Sequence, residues 1–147
     1  MNKNSAGLPP LQAFKVLEIS NNAIAAAYAS KMLADAGAEV VKLELGGGDD
    51  LRHWSAAAAA GSVNSDKPGA LFRFLYASKK SVSLSAPEMA SRETLDRLLS
   101  EVDVVIEQFG NSDVAAPSFD IEAILADHPG LSWISISNFG SAGPWAG

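Results

Sequence analysis

Apolar positions fall along this chain in two rhythms that take turns. KVLEIS (15–20), EVVKLEL (39–45), SVSLS (81–85), VDVVIEQF (102–109) and LSWISIS (131–137) have the length and apolar weight of strands. Between them lie stretches with helical spacing. From about Ala23 to Ala36, Ile24, Tyr28 and either Met32 or Leu33 recur at i, i+4 and predict one apolar face. Alanines 25, 26, 27 and 29 allow that helix to approach a sheet closely. Ser20, Asn21 or Asn22 can cap its start, and Gly37 suits the left-handed residue that ends it. A further helix is expected from Pro87 through MASRETLDRLLS, with Ser85 or a neighbour as cap and Leu95, Leu98 and Leu99 inward. Ser118 can cap another through FDIEAILAD, ended by His128-Pro129-Gly130. LFRFLY (71–76) reads as a helical turn or a short strand. The alanine run 56–60 reads as a short helix, and GGGDDLR (46–52) and GSVNSDKPG (61–69) as loops.

Strand and helix alternate about five times. That predicts an α/β fold: a Rossmann-like parallel sheet of about five strands, covered by helices on both faces and wound with right-handed crossovers. Residues 1–13 are a loose lead-in and residues 14–147 a single domain. In such sheets ligands bind beyond the carboxyl ends of the strands. The loops to watch follow Ser20, Leu45, Ile106 and Ser137.

Composition narrows the function. The net charge is −6, which argues against a nucleic-acid partner. No cysteine is present, so disulfides, thiolate metal sites and cysteine nucleophiles are excluded. The polar start MNKNSAGLPPLQ carries no signal region and no apolar run reaches a membrane span, so a soluble cytoplasmic protein is expected.

The loops offer little recognisable catalysis. The first turn, SNNAIAAAY, lacks the glycines of a dinucleotide fingerprint, although Glu44 stands where a ribose-binding acid would. GGGDD is followed by no GK[ST] and is not a P-loop. Asp49 and Asp50 read as a solvated turn rather than a metal site. His128, at a helix C-terminus, has a structural reading, and His53 lies far from it in sequence. Lys79 and Lys80 could hold phosphate groups or form a solvated basic pair. There is no GxSxG and no HExxH.

Five stretches together resemble the N-terminal part of the family III CoA-transferases, which include formyl-CoA transferase, the carnitine CoA-transferase group and α-methylacyl-CoA racemase. They are LQAFKVLEIS, YASKMLADAGAEVVKLEL with the following GGGDDLR, ASKKSVSLS, VDVVIEQFG and SWISISNFGSAGPWAG. Their order covers nearly all of residues 8–147. The resemblance implies coenzyme A or an acyl-CoA as the bound substrate. Carried over by position, it implies a lining of Asn21, Asn22, Ala23, Leu45, the segment Tyr76 to Lys80 with Lys79 and Lys80 as phosphate candidates, Gln108, Phe109, and the loop Asn138 to Gly140. Arg52 is a weaker phosphate candidate.

Departures from the family pattern matter too. AAAY replaces A-G-P-Y. QFGNS replaces N-F-R-P-G, so Gly110 stands at an arginine position, and SDVAAP lacks a second arginine. Ser85 replaces an aspartate. Each charge-assisted phosphate contact contributes about 1.5–3 kcal/mol, so two missing arginines would weaken binding roughly a hundredfold or more. Family members are much longer, and two chains interlock as dimers. Their acyl-transfer aspartate, or the racemases' histidine and aspartate, lie beyond G-P-Y. The resemblance therefore implies a CoA-binding domain without catalytic residues of its own, acting as a homo-oligomer or with the remainder of the enzyme. The alternative is a degenerate, non-catalytic scaffold or protein-interaction module.

Overall fold

The computed structural model describes residues 8–54, 68–85, 88, 91–109, 118–140 and 142–144. The expected helix at 56–60, most of the loop after it, Pro87 and Gly110 lie outside the described residues. Five parallel strands form one sheet: β1 (Lys15–Ser20), β2 (Glu39–Leu45), β3 (Lys80–Leu84), β4 (Val104–Gln108) and β5 (Ser132–Ser135), in the order β3-β2-β1-β4-β5. The α/β parallel-sheet expectation holds.

Helices cover both faces, as alternation requires of a parallel sheet. α1 (Ile24–Asp35) and α2 (Ala70–Leu75) lie on one side, and α3 (Arg92–Leu99) and α4 (Ile121–Asp127) on the other. Each strand places alternate residues on opposite faces. Leu17, Ile19, Leu43 and Val105 form a core with Leu99 and Ile124 beneath α3 and α4. Val16, Val40, Val104 and Ile106 pack under α1 with Ala23, Ala26 and Ala34.

α1 turns opposite to the expected apolar face. Ile24, Tyr28 and Met32 are at least half exposed, whereas Ala26, Ala27, Ser30 and Ala34 are buried. Small side chains let the helix approach the sheet; the larger ones would hold it off. The N-cap is Ala23, with no side-chain cap; Asn22 takes a left-handed φ of +50° instead of capping. Gly37 has φ +101°, and a Cβ there would meet the Pro9 Cβ at 2.2 Å, so glycine is required by both conformation and space.

LFRFLY resolves as helix. α3 is capped by Ser91, and α4 by Asp120 rather than Ser118. Ser85 donates its amide and hydroxyl to Glu88, the reciprocal half of a capping box. Part of the expected GGGDDLR loop is a short 3-10 helix, Asp50–His53, capped by Asp49.

Candidate functional site

Strand order reverses between β1 and β4, where Ser20 registers with Gln108. In doubly wound sheets ligands bind at such a switch point, beyond the carboxyl ends of the strands. Asn21, Asn22 and Ala23 follow β1 on one side of it. On the other, Gln108 ends β4, and its side-chain oxygen accepts from the Ala26 amide at 2.8 Å, supplying α1 in trans with a cap its own sequence lacks. Leu45 closes β2, and Phe109 follows β4, partly buried against the α3–α4 core. Asn138 and Gly140 follow β5 at the same rim, and the Gly140 amide donates to Ser137 Oγ at 2.8 Å. The topology thus brings eight of the eleven expected residues to one rim of the sheet.

The segment Tyr76 to Lys80 behaves differently. Lys80 opens β3 at the opposite, amino rim, exposed and paired with Glu39 at 2.6 Å. Lys79 presents no free ammonium to a phosphate. Its side chain is buried, 2.8 Å from Glu18, and donates to the Ala27 carbonyl at 2.8 Å and to Ser30 Oγ at 2.6 Å. Tyr76 reaches inward, its hydroxyl 3.0 Å from Asp49 Oδ2 and 3.2 Å from Glu18 Oε1. One phenolic proton serves one of these oxygens at a time.

These contacts belong to a buried polar cluster. Glu18, Lys42 and Asp49 are at most 2% exposed. Lys42 Nζ lies 3.3 Å from Glu18 and 2.9 Å from Asp49, and also donates to the Ser20 carbonyl and Ser20 Oγ. Ser20 and Ser30 hydroxyls donate to Glu18 at 2.7 and 2.6 Å. With Lys79, two carboxylates face two ammoniums, so the buried charge balances. Burial raises the Glu18 carboxyl, but Lys42 and Lys79 beside it outweigh that and hold it below the usual carboxylate range. Burial drives the Lys79 ammonium below the ordinary lysine value, with Glu18 pulling the other way. Burial, then the charges of Glu18 and Asp49, push the Tyr76 phenol far up, so it stays protonated. The expectation of a solvated Asp49-Asp50 turn is corrected: Asp50 is exposed, but Asp49 is enclosed because it answers Lys42.

Glu44 and Arg52 form a second unit. Arg52 donates Nε at 2.7 Å and Nη2 to Glu44, Ser81 Oγ and the Asp49 amide add to the same carboxylate, and the guanidinium stacks 4.4 Å over Phe72. Although burial raises it, these donors hold the Glu44 carboxyl at about 2. The acid that could serve a ribose is therefore already engaged, and so is Arg52. A Cβ at Gly48 would sit 3.0 Å from Glu44 Oε2 at φ +101°, so this pair also requires a glycine.

Sequence reading missed Glu18 and Lys42. The signal was there: Glu18 and Lys42, registered with each other in the two neighbouring central strands, share a face that helices must cover. Charges so placed must pair. His128, at the end of α4, has Nε2 3.5 Å from Asp96 Oδ1, and His53 is exposed in the 3-10 helix. No group of metal-binding side chains occurs among the described residues, and none of their helices is long and apolar enough to cross a membrane.

Comparison with known proteins adds an independent line. The profile of CoA-transferase family III matches residues 11–147. A succinate–glutarate CoA-transferase of Agrobacterium fabrum is 34% identical over 94% of this chain and 34% of its own length. A succinyl-CoA–D-citramalate CoA-transferase of Chloroflexus aurantiacus is 31% identical over 92% of this chain and 32% of its own. The crystal structure of a CAIB/BAIF family protein from Brucella suis superposes with a TM-score of 0.73 at 33% identity, covering 93% of this chain and 35% of that one. The chain thus spans about a third of the length of these relatives.

Proposed function

The chain belongs to CoA-transferase family III, and we propose that the crevice at the carboxyl ends of its strands seats coenzyme A or an acyl-CoA. The observation that carries this reading is the convergence of the Asn21-Asn22-Ala23 turn and Gln108 on the switch point between β1 and β4. Leu45, Phe109, Asn138 and Gly140 extend the same rim. Tyr76 and Lys79 act from below it, by holding Glu18 and Asp49 in place. The rim offers amide groups and backbone more than cations, which suits the pantetheine and its amides better than a naked pyrophosphate.

In this reading the domain supplies binding and orientation. The bond-making carboxylate, which would attack the thioester and exchange acyl and CoA groups between carriers, comes from polypeptide outside these 147 residues. Transfer is favoured over racemisation because the relatives named above are transferases by name. The domain works in the cytoplasm with a second copy of itself or with the remainder of a family-length enzyme.

Calorimetric titration with CoA, acetyl-CoA and NAD tests the reading. Saturable binding of CoA and acetyl-CoA, with none of NAD, is expected. No heat at millimolar CoA would favour the second reading, a non-catalytic scaffold. One observation supports that alternative: Lys42, Lys79 and Arg52 are already paired with carboxylates.

A further inference from the structure

The Asn21–Asn22 turn holds an uncommon shape without glycine. Asn22 has φ +50°, which asparagine tolerates better than most residues but which still needs fixing from outside. The fixing comes from the loop after β2. Asn21 Nδ2 donates to Asp50 Oδ2 at 2.9 Å, and the Asp50 amide donates back to Asn21 Oδ1 at 3.1 Å. The Asn22 amide donates to Asp49 Oδ1 at 3.1 Å. Asp50 is exposed and its contacts compete with water, whereas Asp49 is 2% exposed and does not yield to solvent.

Asp49 is the point where four elements meet. Its Oδ1 also takes the Leu51 amide at 2.8 Å, which starts the 3-10 helix. Its Oδ2 takes Lys42 Nζ from β2 and the Tyr76 hydroxyl from the end of α2. Its own amide is held by Glu44. A carboxylate with this many donors has one orientation, and in it Oδ1 accepts the Asn22 amide.

We propose that Asp49 is a positioning residue for the ligand rim: by accepting the Asn22 amide from a carboxylate locked to Lys42 and Tyr76, it fixes the turn that would meet coenzyme A. This rests on the CoA reading above, and the test separates the two.

The chain as it stands is compared with the double variant Asp49→Ala/Lys42→Met. Removing both charges leaves Glu18 opposite Lys79, so the buried cluster stays balanced while the Asn22 amide loses its acceptor. The expected result is CoA binding weakened about tenfold or more. Hydrogen exchange at the Asn22 amide should be released, with Val16 to Ile19 and Val40 to Leu43 still protected. Asp49→Ala alone should melt at a lower temperature than the double variant yet bind CoA no worse. A merely structural role predicts the reverse: affinity recovers with melting temperature in the double variant and Asn22 stays protected, which overturns the proposal. Tyr76→Phe removes one donor and no charge. It should loosen the same amide by a smaller factor, and it decides the matter should the double variant not fold. A wild-type chain that takes up no CoA sinks the binding reading alone, because Asn22 exchange still decides whether Asp49 holds the turn.

Discussion

Glu44 accepts four donors from three residues, Arg52, Ser81 and Asp49, and together they hold its carboxyl at about 2, well below the ordinary 4.5. A depressed carboxyl contributes stability that is complete above the unfolded value and is lost as pH falls through the folded one. Resistance to urea should therefore fall as pH drops from about 4.5 toward 2. Glu18, lowered in the same direction, adds to that window. Glu44→Gln should be less stable than wild type at pH 6 and lose less on going to pH 3; urea midpoints at the two values check it. The balanced cluster makes a second prediction. Glu18→Gln leaves two ammoniums with one carboxylate and should cost about 3–5 kcal/mol. Glu18→Gln/Lys79→Met removes one charge of each sign and should recover much of that loss, as a double-mutant cycle in urea would record.

The helix α1 shows how much a sequence pattern says about an element and where it stops. Its span was legible within a residue at each end, and its partner strands were legible as apolar runs. Its orientation was not, because the pattern marks which residues are apolar, not which are small enough to touch a sheet. Ala27 faces inward with no exposure and Met32 faces out. Ala27→Leu should destabilise by about 1–3 kcal/mol through overpacking, while Met32→Lys should stay within about 0.5 kcal/mol; chemical denaturation of both variants measures the contrast. The loops after Ser20 and Leu45 begin where the sequence pattern ends the strands, whereas β4 runs on two residues past Ile106 to Gln108 and β5 stops two short of Ser137, at Ser135. Lys79 was legible as a cation but not as a buried one. Its partner, Glu18, lies 61 positions away, and no local spacing connects them. Asp49 was obscured for the same reason: neighbouring aspartates in a glycine-rich loop look solvated until Lys42 is known to lie under one of them.

At the scale of the molecule, two observations point the same way. The exposed residues of α1, Ile24, Tyr28 and Met32, continue onto α2 through Phe74, whose ring lies 6.5 Å from that of Tyr28. On the other face, Val82 and Leu84 of the edge strand β3 are only partly covered. Contiguous apolar surface of this kind favours association, and a net charge of −6 is modest opposition that salt would screen further. The chain is therefore expected to show a mass that rises with concentration in analytical ultracentrifugation, more so at high salt. If the α1–α2 surface drives this, Tyr28→Lys/Phe74→Glu should shift the distribution toward monomer while leaving the melting temperature within a few degrees, because both side chains are half exposed. If β3 drives it instead, that variant will associate as before and Val82→Lys will not. A mass that stays monomeric across the whole concentration range would mean that neither surface is an interface in solution, and that the domain needs no second copy to hold its fold.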